Sequence, residues 1–206
     1  MKIGIIGTGG IGLASAAWLA HQGHSVTLWS PGGTGAQALR GAPLRAEGVL
    51  ETTVKLNVAE SAASLVAHAE VLLVAVPVNG HRMVMDALLP HLGAQTVIVS
   101  SMSSLSSLYL YEAAQRAGKS ITVASFGTTT LTARRSGPTS ARIMTRRTAL
   151  GVSALPLARS ADATALCRAL FGDVFVTHEN ALATALTNIN PVAHGPLALF
   201  NWTRIE

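Results

Sequence analysis

With 206 residues, 49% of them hydrophobic and only 12% charged, the chain is too apolar for a disordered or solvating polypeptide and long enough to bury a core. Its longest apolar run, Val71 to Val78, falls far short of the roughly 18 residues of a membrane-spanning helix, so a soluble protein that uses no membrane is expected. The formal charge is +5, and the single cysteine, Cys167, can form neither an internal disulfide nor a cysteine metal site, which suits a reducing cytoplasm and a role as a small core hydrophobe.

Lys2 to Ile6 is a short β-branched run that meets a glycine cluster, and Ile11 to His21 then reads as a helix rich in Ala and Leu. Glycines at 4, 7, 9, 10 and 12 argue against taking this apolar start for a secretory signal. Ser25 to Trp29 adds a second strand, which completes a βαβ unit, and Pro31, Gly32, Gly33 and Gly35 make a flexible loop. Leu44 to Leu56 is expected as a hairpin around Glu47-Gly48, with a short helix from Ser61 to Ala67.

Glu70 to Val76 is nearly continuous in apolar residues and ends at Pro77, as a parallel strand buried on both faces would. A helix Arg82 to Leu92, a strand Thr96 to Ser100, a helix Ser104 to Ala117 and a strand Ser120 to Ala124 continue the alternation. The fold class expected is α/β, a doubly wound and mostly parallel sheet. Beyond Phe126, the strand-like segments Ala141 to Thr145 and Ala149 to Ala154 are expected to extend that sheet in antiparallel fashion. Ala161 to Phe171 reads as a helix and Val174 to Thr177 as a strand. Asn180 to Leu186 opens a helix running toward the C-terminus with interruptions at Pro191 and Gly195-Pro196.

Gly7-Thr8-Gly9-Gly10-Ile11-Gly12 has the G-x-G-x-x-G spacing after a strand and at the start of a helix, the context that marks a Rossmann dinucleotide site. Gly7 permits the tight turn, Gly9 lets backbone approach a pyrophosphate, Gly12 brings helix close to strand, and the helix N-terminus supplies N–H donors. Ser30 stands where an NAD-specific site carries a carboxylate for the ribose 2′-hydroxyl, and nothing acidic precedes Glu47. NADP is therefore expected over NAD, with Arg40 a candidate for the 2′-phosphate and with Ser30, Val76 and Pro77 as further cofactor contacts. No metal is expected. The cations Arg134, Arg135, Arg142, Arg146 and Arg147 carry no interleaved aromatic residue and no nucleic-acid motif, so they read as a solvated face or as anchors for an anionic cofactor or substrate, not as a nucleic-acid surface.

The segment from Glu179 to Asn201 contains Thr187-Asn188-Ile-Asn190-Pro191-Val-Ala-His194-Gly-Pro196. It resembles the opine dehydrogenase family, in which such a stretch opens a helical substrate domain. Thr132-Ala-Arg134 with Gly137-Pro138, Ala154-Leu155-Pro156 and Val76-Pro77…His81 support the resemblance. The resemblance implies NAD(P)H-dependent reduction of an imine formed from an amino acid and a 2-oxo acid, with His194 as the acid/base. Histidine suits that role because its ordinary pKa of about 6.5 lets it hold or release a proton near neutrality. Asn188 and Asn190 are candidates to orient the substrate or to cap a broken helix, and His81 for a cofactor-side or a structural role.

Residues 1–180 are thus expected to form the dinucleotide-binding domain and 181–206 the start of a truncated second domain. The apolar residues Leu197, Leu199, Phe200, Trp202 and Ile205 are expected to drive homodimerisation. Two alternatives stand beside this reading. One is a hydroxy-acid dehydrogenase of glycerol-3-phosphate dehydrogenase or ketopantoate reductase type, which would use a lysine where this chain has only Lys2, Lys55 and Lys119 to offer. The other is a dinucleotide-binding fragment without turnover.

Overall fold

A computed structural model describes residues 1–100 and 104–204 of the chain. The first βαβ unit is β1 (Lys2–Ile6), α1 (Gly10–His21) and β2 (Ser25–Trp29). A four-residue helix α2 (Thr34–Gln37) leads to a hairpin of β3 (Leu44–Gly48) and β4 (Thr52–Val54), then to β5 (Asn57–Val58) and α3 (Ala62–His68). The second half of the winding is β6 (Val71–Val74), α4 (Val78–Leu88), β7 (Thr96–Val99), α5 (Ser104–Arg116) and β8 (Thr122–Phe126). The hairpin β9 (Leu131–Gly137) and β10 (Ser140–Arg146) follows, then β11 (Leu150–Leu155), α6 (Ser160–Phe171), β12 (Phe175–Thr177), α7 (Ala181–Leu186) and α8 (Asn190–Phe200).

Eight strands form one sheet in the order β12-β11-β8-β7-β6-β1-β2-β5. From β8 through β5 its pairings are parallel, and β11 joins β8 antiparallel. The doubly wound α/β fold expected from the sequence is therefore present. Successive strands run outward in opposite directions from the boundary between β1 and β6, which is the switch point where such sheets bind ligands at their carboxyl ends. Strand residues alternate between two cores. Ile3, Ile5, Val71, Leu73 and Ile98 face α1, while Ile6, Leu72, Val74, Val97 and Val99 face α3, α4 and α5.

The expectation that the segment around Ala141 to Thr145 would extend the main sheet is corrected. β10 instead belongs to a second sheet, ordered β4-β3-β10-β9, whose inner residues Leu44, Ala46, Leu131, Ala141 and Ile143 pack on α1. The reason lies in α1 itself. Its sequence GIGLASAAWLAH has no polar face, and residues 12–17 and Leu19 are all buried, so the helix requires cover on the side away from the main sheet. The companion segment β11 does join the main sheet as expected.

Two proline positions also depart from expectation. Pro191 falls in the first turn of α8, where its missing N–H costs nothing, and Pro196 is accommodated inside the helix. The break between α7 and α8 comes earlier, at residues 187–189. Likewise α4 begins at Val78, directly after Pro77, and not at Arg82. No helix of the described residues is long and apolar enough to cross a membrane.

Candidate functional site: the glycine turn and the crevice rim

β1 ends in the glycine turn at the switch point. The Gly7 N–H donates to the Trp29 carbonyl (2.8 Å), and the Ala75 N–H donates to that of Ile6 (2.8 Å), so the ends of β2, β1 and β6 are stitched side by side. Gly7 has φ +109° and lies so close to Ala75 that a β-carbon there would be 2.4 Å from the Ala75 carbonyl oxygen. On Gly12 it would be 2.1 Å from the Gly7 carbonyl oxygen, which is the close packing of helix on strand that this glycine permits. Gly9 is different: a β-carbon there would meet nothing within 4 Å.

Gly9 is the N-cap of α1, no side chain caps that terminus, and the first turn carries no acid. The helix thus opens onto free space with backbone N–H donors and a partial positive charge, which fits the diphosphate of a dinucleotide. Thr8 is buried, Gly10 and Ile11 are half-buried, and Ser30 is half-buried at the end of β2. Ser30 and Thr8 both border Gly35, whose β-carbon would lie 2.9 Å from Ser30 Oγ and 2.2 Å from Thr8 Oγ1. Val76 and Pro77 extend past β6, with Pro77 exposed at the crevice edge. The predicted cofactor contacts are therefore grouped around one switch point.

The rim on the far side of β6 is built by α7. A β-carbon on Gly127, just past the carboxyl end of β8, would lie 2.3 Å from Thr187 Oγ1 and 3.1 Å from the Thr184 carbonyl oxygen. Residues 187–189 thus leave the body of the fold at the carboxyl ends of the strands. Asn188 is buried, and its Oδ1 accepts a hydrogen bond from the Asn190 N–H (3.1 Å), an Asx turn that leads the chain into α8. Asn190 is half-buried, and His194 is exposed on α8, whose one substantial contact among the described residues is with the turn 202–204.

His81 is a structural member of the same end of the sheet. It is 2% exposed; Nε2 donates to the Val76 carbonyl (3.0 Å), and Nδ1, unprotonated in the neutral ring, accepts from Ser106 Oγ (2.8 Å). Burial holds its pKa below the usual histidine value, partly offset by the bond to Val76. Cys167 is buried and its thiol is pushed up to about 12 by burial, so it behaves as a core hydrophobe.

The basic residues divide. Arg40 pairs with Glu60 at 3.1 Å on the surface. Arg146 stacks over the Trp18 ring at 4.9 Å and donates to the Phe171 carbonyl (2.7 Å). Arg134 and Arg142 face each other across β9 and β10, both exposed. Arg135, missed as a separate case by the sequence reading, reaches back to the glycine turn and donates to the Thr8 carbonyl (3.3 Å). Two of the three lysines are remote from the rim: Lys2 begins β1 at its amino end, and Lys119 Nζ donates to the carbonyls of Pro90 and Leu92. Among the described residues no group of three or more His, Cys, Asp or Glu is arranged to hold a metal.

The sheet order and the glycine turn at its switch point define a Rossmann-type dinucleotide-binding domain. The family described as "Ketopantoate reductase PanE/ApbA" matches residues 3–155, and the chain belongs to that family. A glycerol-3-phosphate dehydrogenase [NAD(P)+] from Rhodopseudomonas palustris (strain BisA53) is 36% identical over 104 residues, 48% of this chain and 30% of that protein. Similar solved structures include octopine dehydrogenase with NADH and pyruvate (16% identity, 100% of this chain and 56% of that one, TM-score 0.83). Yersinopine dehydrogenase with NADP+ bound (21%, 97% and 52%, 0.77) and a probable 2-dehydropantoate 2-reductase from Bacillus subtilis (22%, 98% and 67%, 0.71) are also similar.

The chain thus spans about half the length of the opine-type structures it matches and less than a third of the glycerol-3-phosphate dehydrogenase. The matched family is one of reductases, and the similar proteins are named as dehydrogenases and a reductase. The opine resemblance is met in fold, whereas the family is the one the sequence reading held as its first alternative.

Proposed function

We propose that this chain is the cofactor-binding part of an NAD(P)-dependent reductase acting on a 2-oxo acid, and specifically on the imine that such an acid forms with an amino acid. The observation that carries the finer reading is the course of α7, which ends beside Gly127 so that the Asn188–His194 stretch follows directly from the crevice rim, while Lys2 and Lys119 lie elsewhere. The likeness to octopine and yersinopine dehydrogenases supports it at the level of fold.

The turn Gly7–Gly12 holds the diphosphate through the α1 N-terminus, and Ser30 and Thr8 border the adenosine ribose. The reduced nicotinamide, when bound, supplies hydride to the unsaturated carbon. His194 gives the accompanying proton to the nitrogen or oxygen of the bond being reduced, so imine becomes secondary amine, or carbonyl becomes alcohol, with charge balanced. Residues 1–180 make the cofactor domain and 181–206 begin the substrate-binding part in this reading. It extends to a cytoplasmic homodimer that takes small-molecule substrates and binds neither nucleic acid nor membrane.

The second reading, reduction of a 2-oxo acid to its 2-hydroxy acid, is favoured by the family match. NADPH oxidation by the full-length enzyme separates them: a rate requiring both an amino acid and a 2-oxo acid supports the first, and a rate with 2-oxo acid alone the second. His194→Ala should lower turnover by roughly 10²-fold or more with cofactor affinity unchanged. Near-normal turnover would remove His194 from the mechanism.

A further inference from the structure

Arg135 leaves β9 at the edge of the cofactor crevice and binds only backbone carbonyls. Nη1 donates to Thr8 (3.3 Å), Nη2 to Gly35 (3.3 Å) and Pro138 (2.8 Å), and Nε to Gly137 (2.9 Å). Thr8 belongs to the glycine turn and Gly35 to the short helix α2 that follows β2, the two segments that flank the adenosine ribose in this fold. They are in contact, since a β-carbon on Gly35 would run into Thr8 Oγ1 and Ser30 Oγ. One guanidinium therefore clasps both walls of the ribose site.

Its charge is uncompensated. All four acceptors are neutral, and among the described residues no carboxylate lies within ion-pair distance of Arg135. The cation first expected to meet a 2′-phosphate, Arg40, is instead ion-paired with Glu60 at the surface. Ser30 stands at the end of β2 in place of the carboxylate that would repel a 2′-phosphate.

We propose that Arg135 is a specificity-determining residue that favours the 2′-phosphorylated cofactor, NADP over NAD, by clasping the Thr8 and Gly35 segments and by bringing an unpaired positive charge to the ribose they border. This rests on the dinucleotide-binding reading above. A phosphate monoester carries most of two negative charges near neutrality and a hydroxyl carries none, so the cation distinguishes them. The planar fork reaches several carbonyls at once, which a lysine ammonium on its flexible stem does not.

Calorimetric titration with NADP and with NAD tests this on the unsubstituted chain, R135Q, R135K and R40Q. R135Q should weaken NADP binding roughly tenfold or more and NAD binding by less than about threefold, because the diphosphate is common to both cofactors and the 2′-phosphate is the anion that NADP alone carries. R135K should keep part of the preference, with the NADP-to-NAD affinity ratio down by about threefold or more, and R40Q should leave the ratio as it is. Equal losses for both cofactors in R135Q, or an unchanged ratio, would overturn the assignment and reduce Arg135 to a structural clasp. If R135Q does not fold, R135K decides by the same ratio. Failure of the unsubstituted chain to bind either cofactor would instead overturn the dinucleotide reading itself.

Discussion

The carbonyl oxygen of Ala133 lies 2.6 Å from the point where a β-carbon on Gly10 would stand, and the Arg134 Cα lies 2.8 Å from the same point. Gly10 is not one of the three spaced fingerprint glycines, so its requirement comes from the hairpin seated upon the turn. Gly10→Ala should push β9 off α1 and destabilise the chain by about 1–3 kcal/mol, as overpacking does. The urea midpoint at constant m-value reports this, and an unshifted midpoint would show that the hairpin gives way freely.

Gly9 makes the opposite case. Because a β-carbon there meets nothing within 4 Å, Gly9→Val should fold with nearly parental stability while its side chain occupies the approach to the α1 N-terminus. Loss of NADP and NAD binding in a protein with an unchanged urea midpoint is the expected result. Parental affinity in that variant would refute the turn as the diphosphate site.

His81 should make stability pH-dependent. Its folded pKa is depressed by burial, so the unfolded chain binds more protons between the folded value and the ordinary value of about 6.5. The stability held by neutral His81 is complete above about pH 6.5 and is lost as pH falls toward the folded pKa. His24 is depressed in the same direction, so the informative quantity is the difference between parent and His81→Gln. Urea midpoints at about pH 7 and pH 5 should fall less in the variant than in the parent, and parallel falls would dismiss His81 as the source.

Leu182, Leu186, Ile189 and Val192 are 67–77% exposed, and Leu199, Phe200 and Trp202 are 74–85% exposed, whereas Ile205, counted in the same patch from sequence, lies outside the described residues. Isolated apolar side chains on a surface need no account, but this many on adjoining helices do. The chain should self-associate at tens of micromolar, and Leu186→Glu with Phe200→Glu should return it to a monomer by light scattering. A parent that stays monomeric at that concentration would remove the homodimer from the proposed function.

The parts legible in the sequence are those where one residue pattern has one structural meaning. The run from Lys2 through Trp29 names its strand, turn and helix because β-branched residues, three spaced glycines and an Ala/Leu stretch coincide. The second sheet was illegible because β9 reads LTARRSG and β10 pairs with β3 through small residues such as Ala46 and Ala141, which carry little periodic signal. Those small residues are there because the sheet must come close to a helix itself lined with Ala and Gly. Arg135 was hidden for a related reason: one cation in a basic stretch looks like its neighbours until the fold returns the strand to the glycine turn.

The pairing of β3 with β10 joins Arg45–Gly48 to Ser140–Ile143, and four of the main sheet's strands, β5 to β8, lie between them along the chain. Such a contact is expected to close late in folding, because its loop-closure entropy is larger than that of the local βαβ pairings. Until it does, one flank of α1 is bare, Gly10 has no strand above it and Thr8 lacks its clasp. Cofactor recognition therefore matures with the last layer to assemble, and a dinucleotide present during refolding acts as a template that selects chains whose hairpin has docked, by mass action on that final step.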